Sequence, residues 1–291
     1  MQSSKNLFDN LLQQITAYET QEAKEIVFWL LEFYLGLKKI DIISDKSFEK
    51  VIDWNSIVER LNTQEPIQYI LGETEFYGRR FFVNDSVLIP RPETEELVKF
   101  VVDKQQNLLS ESNNTPKLLD IGTGSGCIAI SLAKELPNYQ VSAYDISERA
   151  LETATKNAEL NQANVDFQKV DILSYKTSTI EFPKFNIIVS NPPYVTRQEI
   201  RQMRENVLDF EPHLALFVED TDPLIFYEVI ADFACENLTN NGLVAVEINE
   251  TLGTETAEVF LKKGFSEVEI IKDIHQKDRF VSAILHKKEA E

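Results

Sequence analysis

Leu118-Leu119-Asp120-Ile121-Gly122-Thr123-Gly124-Ser125-Gly126 runs an apolar strand into a turn with a glycine at every second position, and residues 127–136 continue at helical spacing. Glycine permits the left-handed backbone of a tight turn and lets a ligand approach the main chain closely. The spacing is Gly-x-Gly-x-Gly, not the Gly-x-Gly-x-x-Gly of a dinucleotide fold, whose helix N-terminus is aimed at a pyrophosphate. The tighter loop suits a nucleoside carrying an amino-acid tail.

Outward from this loop, strands and helices alternate. Strands are expected at 117–121, 140–145, 165–169, 185–190, 243–248, 267–271 and 280–285, with helices at 127–136, 148–160, 224–238 and 254–262. This alternation predicts an α/β, Rossmann-like domain with a mostly parallel seven-stranded sheet covered by helices on both faces.

Acids stand at the next two strand ends. Asp145 lies about 20 residues past the loop, where a carboxylate can accept both hydroxyls of a ribose. Ser147 is placed to cap the following helix. Asp171 and Ile172 follow the third strand, a carboxylate for an adenine amino group and an apolar side chain for its ring.

At the end of the fourth strand stands Asn191-Pro192-Pro193-Tyr194. Ligands of open parallel sheets bind at such C-terminal ends. Consecutive prolines hold the backbone extended and remove competing N–H donors. The Asn191 side-chain oxygen and the Pro192 carbonyl can each accept one proton of an amide or aromatic amino group, which leaves the nitrogen lone pair free for in-line attack. Tyr194 can pack against a flat target.

Residues 1–75 read as a small helical bundle, with Leu7, Leu11, Leu12 and Ile15, then Ile26, Leu30, Phe33, Tyr34 and Leu37, at helical spacing. Gly36 marks a helix end, Ser47 is expected to cap the next helix, and a short helix is expected near 55–61. Trp29 and Trp54 are read as core. The bundle carries no catalytic constellation and is expected to dock a partner. Residues 76–92 form a β-hairpin linker, with Phe76 to Val83 and Val87 to Ile89 as extended runs. Residues 93–291 make the catalytic domain, with helical spacing over 93–107 and a polar loop at 110–116.

The 291 residues carry 48 acids against 29 bases, a formal charge of −19. Such a field repels a polyanion and speaks against direct nucleic-acid binding. No run of 18 apolar residues marks a membrane span, and no signal-peptide pattern opens the chain. Cys127 and Cys235 stand far apart, and no Cys-x-x-Cys pair exists. Cytoplasmic location and a monomer are expected. His213, His275 and His286 show no metal-ligand spacing. Cys127 reads as small apolar packing, and Arg197, Arg201 and Arg204 as one basic helical face.

These motifs resemble the class I methyltransferases and, within them, the release factor glutamine methyltransferases of the PrmC/HemK family. The resemblance covers about residues 65–291. It adds Pro66-Ile67-Gln68-Tyr69-Ile70-Leu71-Gly72, Glu75-Phe76-Tyr77-Gly78, Leu88-Ile89-Pro90-Arg91-Pro92-Glu93-Thr94-Glu95, and Glu211-Pro212 with Ala215-Leu216. It implies S-adenosylmethionine as cofactor, held by Gly122, Thr123, Gly124, Ser125, Gly126, Asp145, Asp171, Ile172 and Asn191. It implies Asn191, Pro192, Pro193 and Tyr194 as the substrate site, with Asn191, Pro192 and Tyr194 catalytic. The expected product is N5-methylglutamine in the Gly-Gly-Gln motif of class-1 release factors. The alternatives are a nucleic-acid adenine or guanine amino-methyltransferase and a non-catalytic scaffold. Three departures bear on loop geometry: Ile172 where an aromatic is frequent, Asn249 where a glycine is usual after the fifth strand, and an Asp-x-x-Gly-x-x-Arg segment spanning Asp273 to Arg279 with His275 in the glycine's place.

Overall fold

The computed structural model describes residues 1–105 and 115–287. Most of the expected polar loop at 110–116, and the last two residues of the expected helix over 93–107, lie outside these. The chain divides into two units, Met1–Glu73 with Met203–Phe210, and Thr74–Gln202 with Glu211–Glu291.

The first unit is helical. A two-residue strand β1 (Gln2–Ser3) leads into α1 (Ser4–Gln14), α2 (Thr20–Leu35) and α3 (Lys39–Ile43), then β2 (Ser47–Phe48), α4 (Trp54–Asn62) and α5 (Ile67–Leu71). Leu11, Val27, Leu30, Leu31 and Leu61 are fully buried in its core. Gly36 ends α2 in the left-handed conformation, with φ +66. Ser47 does not cap a helix. It pairs with Ser3 across the β1–β2 ladder, and α4 is capped by Asp53, whose side chain accepts the Ser56 amide. Trp29 also departs from its expected place: it is 45% exposed, because the buried stripe of α2 runs through Ala23, Ile26, Val27, Leu30 and Leu31. Trp54 is half-buried and stands edge-on to Tyr34.

The strand β3 (Glu73–Phe76) starts on the last residue of the first unit's opening segment and leads into the second unit, where β4 (Arg79–Phe82) pairs with it. Their turn, Tyr77-Gly78, has positive φ at both residues, the geometry a two-residue hairpin needs. The run Val87 to Ile89 is not a strand. The Ile89 amide turns instead to the buried Glu211 carboxylate at 3.2 Å.

Next come α6 (Thr94–Lys104), β5 (Lys117–Ile121), α7 (Cys127–Glu135), β6 (Gln140–Asp145), α8 (Glu148–Asn161), β7 (Val165–Lys169), β8 (Phe185–Ser190) and β9 (Val195–Thr196). After α9 (Glu205–Phe210), which belongs to the first unit, follow β10 (Phe217–Val218), α10 (Ile225–Asn237), β11 (Leu238–Glu247), α11 (Gly253–Lys262), β12 (Ser266–Lys272) and β13 (Asp278–Leu285). The seven-stranded sheet has the order β12-β13-β11-β8-β5-β6-β7. From β11 to β7 the neighbours pair in parallel, and β13 is antiparallel to both its neighbours.

The parallel strands are apolar on both faces, as helices on each side require: Ile187, Ile188, Val189, Val244, Ala245 and Val246 are fully buried. Strand order reverses between β5 and β8, and the crevice at their C-terminal ends is where such a sheet takes a ligand. Arg197, Arg201 and Arg204 do not form one helical face. Arg197 and Arg201 lie on a short 3-10 turn, Arg197 pairs with Glu219, and Arg204 pairs with Glu22 within the first unit.

Candidate active site

The loop after β5 is shaped by its own backbone. Gly122 and Thr123 donate to the Tyr144 carbonyl at 2.8 and 3.0 Å, and Gly126 donates to Thr123. Gly122 and Gly124 have φ of +72 and +54, with open space where a Cβ would stand. Gly126 is required for packing as well: a Cβ there would lie 2.9 Å from Ile130 Cδ1 and 3.1 Å from Ala154 Cβ, closing α7 onto α8. Behind the loop, Asn157 of α8 accepts the Phe82 amide and donates to the Phe82 and Ser125 carbonyls. That side chain fastens β4 to the loop.

Asp145 holds the loop from the front. Its Oδ2 accepts the Gly124 amide at 2.8 Å and its Oδ1 accepts the Ser147 amide at 2.9 Å. Burial raises its pKa, and these backbone donors oppose the rise. Ser147 caps α8 by accepting the Ala150 amide. Asp171 accepts the Leu173 amide and starts a short 3-10 turn in which Ile172 is buried.

A cleft of about 300 Å³ gathers Gly122 to Ser125, Asp145, Asp171, Ile172, Asn191 and Pro193. Arg91 and Thr94 line it from the chain before the sheet. Gly126, Pro192 and Tyr194 are not among its lining residues. Tyr194 packs on the hydrophobic core and its hydroxyl donates to Glu247 Oε1 at 3.0 Å. Burial, and then the Glu247 carboxylate, push its pKa well up. Cys127 lines the cleft too, with a thiol pushed up to about 12, mainly by burial, so it is not a thiolate nucleophile.

Sequence reading missed the groups that hold Asn191. Its Nδ2 donates to Thr94 Oγ1 at 3.3 Å, and Thr94 Oγ1 donates to Glu247 Oε2 at 2.7 Å. Glu247 is 1% exposed. Burial raises its pKa, while Thr94 and Tyr194 hydrogen bonds pull it back. The signal was a lone acid closing the apolar run Leu243-Val244-Ala245-Val246, since a fully buried carboxylate needs partners.

The departures resolve into side-chain turns. Asn249 Oδ1 accepts from the Thr251 amide and hydroxyl, and its Nδ2 donates to Glu199 and to the Tyr194 carbonyl. It thereby ties the turn after β11 to the Asn-Pro-Pro-Tyr segment. In the segment Asp273 to Arg279, the glycine position falls at Gln276, not His275, because Asp-x-x-Gly counts three residues on. Gln276 has φ +65, the left-handed geometry glycine would supply. The loop is held by Asp273, which accepts the His275 and Lys277 amides and pairs with Arg279 at 2.8 Å.

His213 stands edge-on to Phe217, and His286 lies on the exposed side near Asn241 and Glu267. Among the described residues no cluster of His, Cys, Asp or Glu could hold a metal ion, and no helix is long and apolar enough to cross a membrane.

Residues 7–72 match the PrmC N-terminal domain, and residues 100–209 match the methyltransferase small domain. A release factor glutamine methyltransferase of Flavobacterium psychrophilum is 45% identical over 282 residues, 95% of this chain and 97% of that protein. One of Bacteroides thetaiotaomicron is 45% identical over 91% of this chain and 94% of that one. In fold alone, a crystal structure of a methyltransferase from Pyrococcus furiosus is similar, with a TM-score of 0.50 and 20% identity over 73% of this chain and 91% of that one. With identity this high across nearly its whole length, the chain belongs to the release factor glutamine methyltransferase family.

Proposed function

We propose that this enzyme transfers a methyl group from S-adenosylmethionine to the N5 side-chain amide of the glutamine in the Gly-Gly-Gln motif of class-1 release factors, leaving S-adenosylhomocysteine. The observation that carries this reading is one cleft at the strand-order reversal, shared by the glycine loop, Asp145, Asp171, Ile172 and Asn191. The residues fit the cofactor. Gly122 and Gly124 leave the loop backbone bare toward open space, so an amino-acid tail can lie against it. Each Asp145 oxygen takes one backbone donor and keeps a lone pair for a ribose hydroxyl. Ile172 packs on the adenine ring, with Asp171 beside its amino group.

Bound S-adenosylmethionine supplies an electrophilic methyl on a sulfonium sulfur. Asn191 Oδ1 and the Pro192 carbonyl accept the two amide protons of the substrate glutamine and hold its nitrogen in line. That nitrogen is a poor nucleophile because its lone pair is delocalised into the carbonyl. Two acceptors draw density back onto it, and once the new N–C bond has formed and the S–C bond has broken, the surplus proton passes to solvent water. Pro193 completes the substrate wall, while Tyr194, packed on the core and bonded to Glu247, holds the segment from behind. Residues 1–75 serve as the docking region, 76–92 as the linker and 93–291 as the catalytic domain, with the protein working as a cytoplasmic monomer.

The test offers labelled cofactor with intact release factor, a release factor whose Gly-Gly-Gln glutamine is alanine, and RNA. Label is expected on the first alone. Transfer to RNA, or equal transfer to the alanine variant, overturns the reading.

A further inference from the structure

Glu247 divides its two oxygens between the two ends of the Asn-Pro-Pro-Tyr segment. Oε1 accepts the Tyr194 hydroxyl directly at 3.0 Å, and Oε2 reaches Asn191 through Thr94, at 2.7 Å and then 3.3 Å. Thr94 is 2% exposed and opens α6, while Glu247 closes β11, so both are fixed by regular structure.

The chain of hydrogen bonds has a direction. A carboxylate only accepts, so the single Thr94 proton goes to Glu247. The Thr94 oxygen then offers Asn191 only lone pairs, and the Asn191 amide must turn its nitrogen inward to donate. Its oxygen is left for the cleft that Asn191 lines. A free asparagine side chain has two nearly isoenergetic orientations about its amide, and the flipped one would present a donor to a substrate that is itself a donor. We propose that Thr94 and Glu247 are positioning residues that fix Asn191 with its acceptor oxygen toward the substrate and hold Tyr194 by the same carboxylate. The proposal rests on the reading of Asn191 as the amide acceptor.

The test compares wild type, Thr94→Val and Thr94→Ser. Valine keeps the shape of threonine and removes the hydroxyl, whereas serine keeps the hydroxyl. In transfer to intact release factor, Thr94→Val is expected to lower kcat by about ten- to a hundredfold, with cofactor affinity and KM changed by no more than about twofold, the pattern of lost orientation. Thr94→Ser is expected to recover most of the rate. A wild-type kcat in Thr94→Val, or a loss as large in Thr94→Ser, overturns the proposal, since only the hydroxyl can matter. Should Thr94→Val not fold, Thr94→Ala serves with the same expectation.

A second readout does not depend on turnover. The Asn191 side-chain amide protons, followed by nitrogen-edited NMR, are expected to be protected from exchange in wild type and Thr94→Ser and to lose protection in Thr94→Val. Equal protection in all three overturns the proposal. If wild type transfers nothing to release factor, the functional reading fails, and the amide protons still decide the orientation.

Discussion

Asp145 Oδ2 accepts the Gly124 amide at 2.8 Å, so the acid closing β6 is fastened to the loop that follows the neighbouring strand β5. Removing it therefore slackens the loop and, on the proposed reading, takes away a ribose acceptor as well. Asp145→Ala is expected to weaken cofactor binding by about 1–3 kcal/mol, the scale of lost charge-assisted hydrogen bonds. Asp145→Asn should lose a comparable amount, because two backbone donors sit on separate oxygens and an amide offers one acceptor. Calorimetry reads both. Unchanged affinity in the alanine variant removes Asp145 from the site.

Asp120 supplies a pH-dependent test of the same loop. It is fully buried, and burial pushes its pKa from 3.8 to about 7, against hydrogen bonds from Thr123 and Ala129. Its Oδ1 has no hydrogen-bond partner. The folded state thus keeps a proton that the unfolded chain releases, and stability falls as pH rises from about 4 to about 7. The penalty above that window is on the order of 4 kcal/mol. Asp120→Asn removes the titration but buries an unpartnered amide N–H₂, which costs about 1–3 kcal/mol. The variant should therefore melt above wild type at pH 8 and lose that advantage by pH 5. A melting difference that does not change with pH contradicts the assignment.

Much of this was legible because it is local. Gly122 to Gly126, Asp145 and Ser147 lie within or beside a strand end, where spacing alone dictates backbone geometry. What stayed hidden converges from afar. Thr94 reaches Asn191 from 97 positions away, and Glu247 reaches Tyr194 from 53. Hydrophobic periodicity places strands and helices but cannot show which polar groups meet at their ends. Ser47 misled for a related reason: a serine favours helix caps and tight pairings alike, and only the β1 partner decides. Trp29 misled because helical spacing marks a stripe without fixing its edges.

The pair Arg91 and Glu211 gives a third test. The Glu211 side chain is 1% exposed, accepts the Ile89 amide, and pairs with Arg91 at 2.6 Å. Arg91→Met strands a buried carboxylate and should cost about 3–5 kcal/mol. The double variant Arg91→Met, Glu211→Met leaves only the Ile89 amide unpaired, a loss of about 1–3 kcal/mol. Urea denaturation should therefore show the double variant to be more stable than the single. The reverse order shows that water reaching the half-exposed Arg91 position already solvates Glu211.

Removal of residues 1–75 tests the docking role. The two cores of the second unit contain no residue before Phe76, so cofactor binding should survive truncation. The segment Met203–Phe210 belongs to the first unit, where Arg204 pairs with Glu22, and it loses that partner. Methylation of intact release factor should fall while calorimetric cofactor affinity holds. Lost cofactor binding in a truncation that still unfolds cooperatively shows that residues 1–75 contribute to the cofactor site.

Asn191 carries the heaviest prediction. Asn191→Ala removes the proposed acceptor and on that reading leaves a substrate N–H unpaired in the cleft, which costs about 1–3 kcal/mol. Lost orientation at the methyl adds to this, so turnover should fall by about a hundredfold or more. Asn191→Asp is the sharper comparison. It keeps an oxygen for the substrate, but its second oxygen would face Thr94 Oγ1, whose proton is already given to Glu247. Two acceptors then meet without a donor, and a second carboxylate is added near a buried one. The buried carboxylate nearby favours the protonated form of the aspartate variant, which can donate to Thr94, so its residual activity should rise as pH falls. Cofactor and release-factor binding are measured separately for each variant, because Asn191 lines the same cleft as the glycine loop. Near wild-type turnover in Asn191→Ala, with both ligands bound normally, would show that the amide is held by other groups.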